Sequence, residues 1–195
     1  MLKSQAIRLI LDFVGDNAPI VLTTGYACRM AAALGERPLS FYMTGSMGLA
    51  GAVGAGLAAE LERRVYVIDG DGSLLMNSSV LAAIGANPTV QLTHIVLDDG
   101  VYASTGGQPT HSHTCDFPTL ARASGYPAAE TVGELDELAD ALTHAADRMK
   151  GVYLLHCRLE TVLESPGPRI SNDLPAITTE FRRALSELLV VTCNE

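Results

Sequence analysis

Two short apolar runs in this chain each end in an acidic, glycine-bearing turn, and that repeated join constrains the fold more than any other feature. Val65-Tyr66-Val67-Ile68 breaks at Asp69-Gly70-Asp71-Gly72-Ser73, and Thr93-His94-Ile95-Val96-Leu97 breaks at Asp98-Asp99-Gly100-Val101-Tyr102. Between them Ser73 to Ala86 reads as a mostly apolar helix that Asn87-Pro88 ends. Strand, crossover helix and strand at this length make one unit of a parallel sheet. Both turns then leave the carboxyl edge of the sheet, where open α/β sheets bind ligands. Glycines in such turns let the backbone approach a phosphate and leave its N–H groups bare. Carboxylate and carbonyl oxygens, with no Cys or His in either turn, suit a hard cation such as Mg2+.

The rest of the chain continues the alternation. Residues 3–14 have helical length and clustered apolar positions, and Gly15-Asp16-Asn17 stops them. Pro19-Ile20-Val21-Leu22 reads as a strand, Thr23-Thr24-Gly25 turns into a helix ending near Leu34-Gly35, and Leu39 to Met43 is a second strand. Gly45, Gly48, Gly51 and Gly54 then recur every third residue among alanines. An interior glycine costs a helix about 1 kcal/mol relative to alanine, so this ladder needs a reason. Two are open: a loop or tight helix-on-sheet packing, or close approach to a cofactor and a neighbouring subunit.

Residues 103–118 form a long loop without periodicity, Phe117 to Ser124 a short helix, and Val132 to Met149 a longer one with an acidic start and a basic end. Val152 to Cys157 is the last strand, Ser165-Pro166-Gly167-Pro168 a linker, and Thr178 to Val191 a terminal helix. These elements predict a three-layer α/β/α fold around a mostly parallel sheet of about six strands. Residues 1–163 are expected to form one domain, with 164–195 a linker and helix packing on it.

At 195 residues and a net charge of −9, the chain is one domain's worth of core, and a nucleic-acid partner is not expected. Cys28, Cys115, Cys157 and Cys193 are scattered and form no C-x-x-C pair, which argues against a zinc site or disulfide framework and for a cytoplasmic protein. No apolar run reaches the length of a membrane span, so no membrane partner is expected.

Asp71 and Asp99 are 28 residues apart, with Gly-Asp-Gly-Ser at one end and an acidic pair plus glycine at the other. That joint pattern resembles the cofactor signature of the thiamine diphosphate-dependent decarboxylases. Thr23-Thr24-Gly25-Tyr26 looks like the family's first cofactor loop, and Gly45-Ser46-Met47-Gly48 like the segment that holds the aminopyrimidine. The run from Leu97 through Ser104-Thr105-Gly106-Gly107-Gln108-Pro109-Thr110 is similar to that of phosphonopyruvate and sulfopyruvate decarboxylases. The resemblance implies the diphosphate-binding module of such an enzyme. Its substrate would be a small anionic 2-oxoacid carrying a 3-sulfo or 3-phosphono group, which loses CO2 to give an aldehyde. Asp71, Asp99 and the Val101 carbonyl would hold Mg2+. Thr24, Gly25, Gly45, Ser46, Met47, Gly70, Gly72, Ser73 and Tyr102 would hold the cofactor, with Met47 beneath it. Asp99 departs from the family's usual Asn and adds a negative charge beside an anionic diphosphate. His113, with His111 beside it, is either a solvated loop histidine or a catalytic residue that binds an anionic substrate or relays a proton. Arg29 is either a helix-surface charge or a catalytic-site partner for a sulfonate or phosphonate.

Thiamine diphosphate enzymes of this kind also need a glutamate on a separate pyrimidine-binding domain. None of the eleven glutamates lies in a strand or turn that would serve. The resemblance therefore implies a half-enzyme that needs a pyrimidine-binding alpha subunit, in an α2β2 or larger assembly. A carboligase subunit of the acetolactate synthase kind and a non-catalytic cofactor-binding protein are the alternatives. A Rossmann-type binder is disfavoured, because no Gly-x-Gly-x-x-Gly follows the first strand.

Overall fold

The computed structural model describes residues 1–35, 37–61, 63–147, 151–170 and 173–192. Six strands build one fully parallel sheet: β1 (Ile20–Leu22), β2 (Ser40–Tyr42), β3 (Val65–Gly70), β4 (Leu92–Asp98), β7 (Ala128–Val132) and β8 (Val152–Arg158), in the order β2-β1-β3-β4-β8-β7. Two short strands, β5 (Val101–Tyr102) and β6 (Gln108–Pro109), make a separate antiparallel ribbon.

The central strands are apolar on both faces, as a sheet covered on both sides requires. Ile20, Leu22, Tyr66, Ile68, Ile95, Leu97 and Leu155 face a layer made of α1 (Lys3–Val14), α2 (Tyr26–Ala33) and α7 (Leu135–Asp147). Val21, Val65, Val67, Leu92, Val96 and Leu154 alternate with them. These face α3 (Ala50–Leu61), α4 (Asp71–Met76), α5 (Val80–Gly85) and α6 (Phe117–Ala123). The final helix, α8 (Leu174–Thr192), lies by the β2 edge, where buried Phe181 packs on Phe41 with ring centroids 5.3 Å apart. The expected three-layer α/β/α fold with six parallel strands is the one observed.

The chain runs from β1 outward to β2, then returns to the other side of β1 to lay down β3. That reversal opens a crevice between the carboxyl ends of β1 and β3, the point at which such sheets take ligands. The turns after β1, β3 and β4 all border it.

Three local readings need revision. The helix expected over Ser73–Ala86 is two helices, broken at Asn77-Ser78-Ser79, where the Asn77 side chain donates to the Gly48 carbonyl 2.9 Å away. Strand β7 was not expected; only Val132 of its five residues is buried, so it lacks the apolar run that marks the interior strands. The long loop contains β6, which pairs with β5 just before the loop, and a turn of 3-10 helix, Ser112–Thr114. The basic end expected near Arg148 and Lys150 lies outside the described residues, as does Cys193. Among the described residues no helix is long and apolar enough to cross a membrane.

Glycines 45 and 48 precede α3, whereas Gly51 and Gly54 lie inside it and face the sheet. A Cβ on Gly54 would stand 2.2 Å from Val67 Cγ2, and one on Gly51 3.2 Å from the His94 ring. Tight helix-on-sheet packing therefore accounts for this half of the ladder. Gly56, on the outer side, would meet nothing within 4 Å. Gly54→Ala should accordingly destabilise by about 1–3 kcal/mol through overpacking. Gly56→Ala should stabilise by about 0.5–1 kcal/mol. Thermal melts of the two variants, moving in opposite directions, check the assignment.

Candidate functional site

The crevice is a cleft bordered by turns from four places in the chain. Its walls include Thr23, Thr24 and Tyr26 after β1, Met47 before α3, Gly70 to Ser73 after β3, and Asp99, Val101, Tyr102 and Ser104 after β4, with Lys3 of α1 at its side. Parallel pairing of β3 with β4 sets Gly70 opposite Leu97, so the Asp71 and Asp98-Asp99 turns leave the sheet side by side. Both turns expected to carry the chemistry thus reach one place.

Ser73 ties three of these turns together. Its buried hydroxyl accepts from Thr23 Oγ1 at 3.1 Å and from the Gly48 N–H at 3.0 Å. Gly48 has φ +92 and Ser46 φ +59, so the segment around Met47 is a left-handed turn held from within by that hydroxyl. Met47 is half-buried and faces the cleft. Gly72 is required by sterics: a Cβ there would lie 2.2 Å from the Tyr102 ring, which rests on the glycine backbone. Gly25, at φ +91, begins α2 and brings its backbone against Ser104.

Carboxylates dominate the charge. Asp71 is almost fully buried and accepts from the Thr110 hydroxyl. Burial pushes its pKa up to about 6, opposed by the Thr110 hydrogen bond and reinforced by the neighbouring Asp98 carboxylate, with which it shares a hydrogen bond. Burial acts on Asp98 in the same direction. Hydrogen bonds from His156, Ser112 and Asp71 outweigh it and hold Asp98 below the usual carboxylate range. Its Oδ2 lies 2.9 Å from His156 Nε2, and its Oδ1 accepts from Ser112 Oγ at 2.7 Å. One strand further on, Asp69 lies 3.3 Å from His94 Nε2, and the other ring nitrogen of His94 meets Tyr126. Asp69 also accepts the N–H of Gly70, which fixes the turn before Asp71. Asp99 pairs with Lys3, whose Nζ is 2.5 Å from Oδ2.

No group of three or more His, Cys, Asp or Glu side chains placed to hold a metal occurs among the described residues. The donor set at the cleft is two carboxylates, Asp71 and Asp99, with the Val101 backbone beside them. All-oxygen donors too few to enclose an ion fit Mg2+, which keeps part of its shell for phosphate oxygens and water. The Lys3 ammonium already sits as a cation against one of the two carboxylates.

The two residues expected to meet substrate do not line the cleft itself. His113, in the 3-10 turn, faces a separate groove with Asp116, Arg122, His156 and Arg158 that shares no lining residue with the cleft. The His111 ring is 6.2 Å from it. Arg29 donates to the carbonyls of Gly167 and Pro168, so it clamps the segment before α8. It nevertheless lines a cavity of about 260 Å³ next to the cleft, with Thr24, Gly25, Ser104 and Arg169. Sequence reasoning had missed Lys3, Thr110, Ser112, His156 and Arg169. Only the doubled aspartate at 98 and 99 hinted at the second carboxylate. A larger groove of about 650 Å³ runs along α1 and α2, but few charged side chains line it and it lies away from the acidic turns.

Fold and cleft together define a doubly wound α/β domain whose ligand site is built at the strand reversal. The chain belongs to the thiamine pyrophosphate enzymes: the family's model for the C-terminal TPP binding domain matches residues 23–157. It is 45% identical over 143 residues to a phosphonopyruvate decarboxylase of Streptomyces viridochromogenes, covering 73% of this chain and 36% of that one. It is 35% identical over 183 residues to a sulfopyruvate decarboxylase subunit beta of Methanocaldococcus jannaschii, covering 92% of this chain and 94% of that one. The chain thus spans about a third of the phosphonopyruvate decarboxylase (36%) and nearly all of the beta subunit (94%). A thiamine diphosphate-dependent 4-hydroxybenzoylformate decarboxylase of Rhodococcus jostii has the same fold, with a TM-score of 0.71 at 19% identity, over 84% of this chain and 33% of that one.

Ser73→Ala removes the acceptor shared by Thr23 and Gly48. Leaving these buried donors without a partner should cost about 1–3 kcal/mol. A thermal melt checks this, and Ser79→Ala, at an exposed hydroxyl, should change little.

Proposed function

We propose that the chain is the diphosphate-binding half of a thiamine diphosphate- and Mg2+-dependent 2-oxoacid decarboxylase. The observation that carries this reading is the pair of carboxylates, Asp71 and Asp99, set in one cleft by adjacent strand ends and flanked by Gly70 and Gly72. When bound, thiamine diphosphate supplies the nucleophile and the electron sink for loss of CO2. Asp71, Asp99 and the Val101 carbonyl hold Mg2+, while Thr24, Gly25, Gly70, Gly72, Ser73 and Tyr102 surround the diphosphate. Gly45, Ser46 and Met47 support the aminopyrimidine end, with the half-buried Met47 as a flexible apolar rest.

The substrate is a 3-sulfo- or 3-phosphono-pyruvate. This follows the names of the relatives and is supported by the cavity next to the cleft, where Arg29 and Arg169 offer cationic ends to an anionic group. The assembly contains a pyrimidine-binding alpha subunit in an α2β2 or larger arrangement and works in the cytoplasm. Relatives named subunit beta support that partner, and so does the absence of any glutamate from the cleft wall among the described residues.

Metal and proton compete for Asp71. Its pKa is raised to about 6, so the side chain is mostly ionised at pH 7 and increasingly protonated below pH 6. Affinity for thiamine diphosphate with Mg2+ should therefore fall as pH drops through about 6 and level off above it. Asp71→Ala should weaken that affinity by more than about a hundredfold, the upper end of the loss from an outer-shell partner. Calorimetry on the assembled protein across pH 5–8 tests both, and undiminished binding by the variant removes the metal assignment. The half-enzyme reading is tested with sulfopyruvate and phosphonopyruvate, assayed with and without a pyrimidine-binding partner. Turnover is expected only with the partner; robust turnover by the chain alone contradicts the reading.

A further inference from the structure

We propose that Lys3 is a built-in counter-charge that makes a carboxylate at position 99 compatible with a polyanionic cofactor. The inference rests on the thiamine diphosphate reading and adds to it a residue outside the strand-end turns.

Lys3 belongs to the first turn of α1, remote in sequence from the acidic turns, yet its Nζ is 2.5 Å from Asp99 Oδ2. The two side chains are only 12% and 5% exposed, so water screens this pair far less than a surface one. Among the described residues lining the cleft, Lys3 is the one cationic side chain.

Its position is fixed from two sides by the segment that follows β8. Leu159 N–H donates to the Asp98 carbonyl and Thr161 Oγ1 to the Asp99 carbonyl, both at 2.8 Å. The same segment holds the start of α1: Glu160 N–H donates to the Met1 carbonyl at 3.1 Å, and Glu164 accepts from the Ser4 N–H at 3.0 Å and from the Ser4 hydroxyl. One stretch of chain thus clamps both the helix turn that carries Lys3 and the backbone of its partner. A wandering surface lysine has no such frame.

The charges explain why the pair is needed. Asp71 and Asp99 both border the cleft, with Asp98 directly behind Asp71. A diphosphate brings more negative charge than one divalent cation offsets, so a second carboxylate leaves an excess in a partly desolvated site. The Lys3 ammonium cancels that excess. It is bonded to Oδ2, and Asp99 would still offer its other oxygen to a metal.

The test is a double-mutant cycle on the native assembly. Thiamine diphosphate affinity is measured by calorimetry at saturating Mg2+, where competition between ammonium and metal for Asp99 drops out. Lys3→Met should weaken binding by about tenfold or more, equivalent to about 1.4 kcal/mol. In an Asp99→Asn background the same change should alter affinity by less than about threefold. Lys3→Arg, which keeps the charge, should stay close to native, and Lys3→Gln reports the same loss if the methionine variant does not assemble. An unchanged affinity in Lys3→Met and Lys3→Gln, or an equal loss in the Asp99→Asn background, overturns the counter-charge. Failure of the native assembly to bind thiamine diphosphate at all overturns the cofactor reading, and this inference with it.

Discussion

The register between β3 and β4 is the constraint on which the site depends. Gly70 pairs with Leu97 across a parallel ladder, so the residues just beyond each strand emerge together on one edge. A slip of one residue would turn the apolar side chains of Val67 and Ile68 to the wrong layers and separate the acidic turns. The two helix layers therefore stabilise the site indirectly, by fixing a register that their own packing requires. Gly54 and Gly51 bring α3 close against that ladder.

Buried negative charge is the second organising problem. Three aspartates at the ends of β3 and β4 are each met by a basic group from elsewhere in the fold. Asp69 lies beside His94 of β4, Asp98 beside His156 of β8, and Asp99 beside Lys3 of α1. Asp71 has no such partner among the described residues and instead shares a hydrogen bond with Asp98. Desolvation is then least compensated at Asp71, the position where a cation gains most by binding.

The alternation of strands and helices, the sheet edge and the two acidic turns were legible because each is a local signal. Apolar runs and glycine-acidic breaks are written within a few consecutive residues, and the parallel pairing follows from the crossover length. The missed features are those that depend on distant chain. Strand β7 buries only Val132 of its own residues and is held by its neighbour β8. Lys3 reads as an ordinary helix-surface lysine, and nothing near it in sequence points to Asp99. His156 sits within an apolar strand, and only the fold brings it to Asp98. Arg29 and His113 stand outside the acidic cleft itself, a placement that residue type and loop position do not give. Arg29 donates to two backbone carbonyls and lines the adjoining cavity, and His113 faces a different groove.

The central claim is that one cation sits between the ends of β3 and β4, held by side chains of this chain. A crystal structure of the native assembly grown with thiamine diphosphate and Mn2+ in place of Mg2+ tests it most directly, because anomalous scattering locates the metal without reference to the cofactor. The account predicts a single strong peak within coordination distance of Asp71, Asp99 and the Val101 carbonyl. A peak coordinated by other residues, or none at these three, would contradict it.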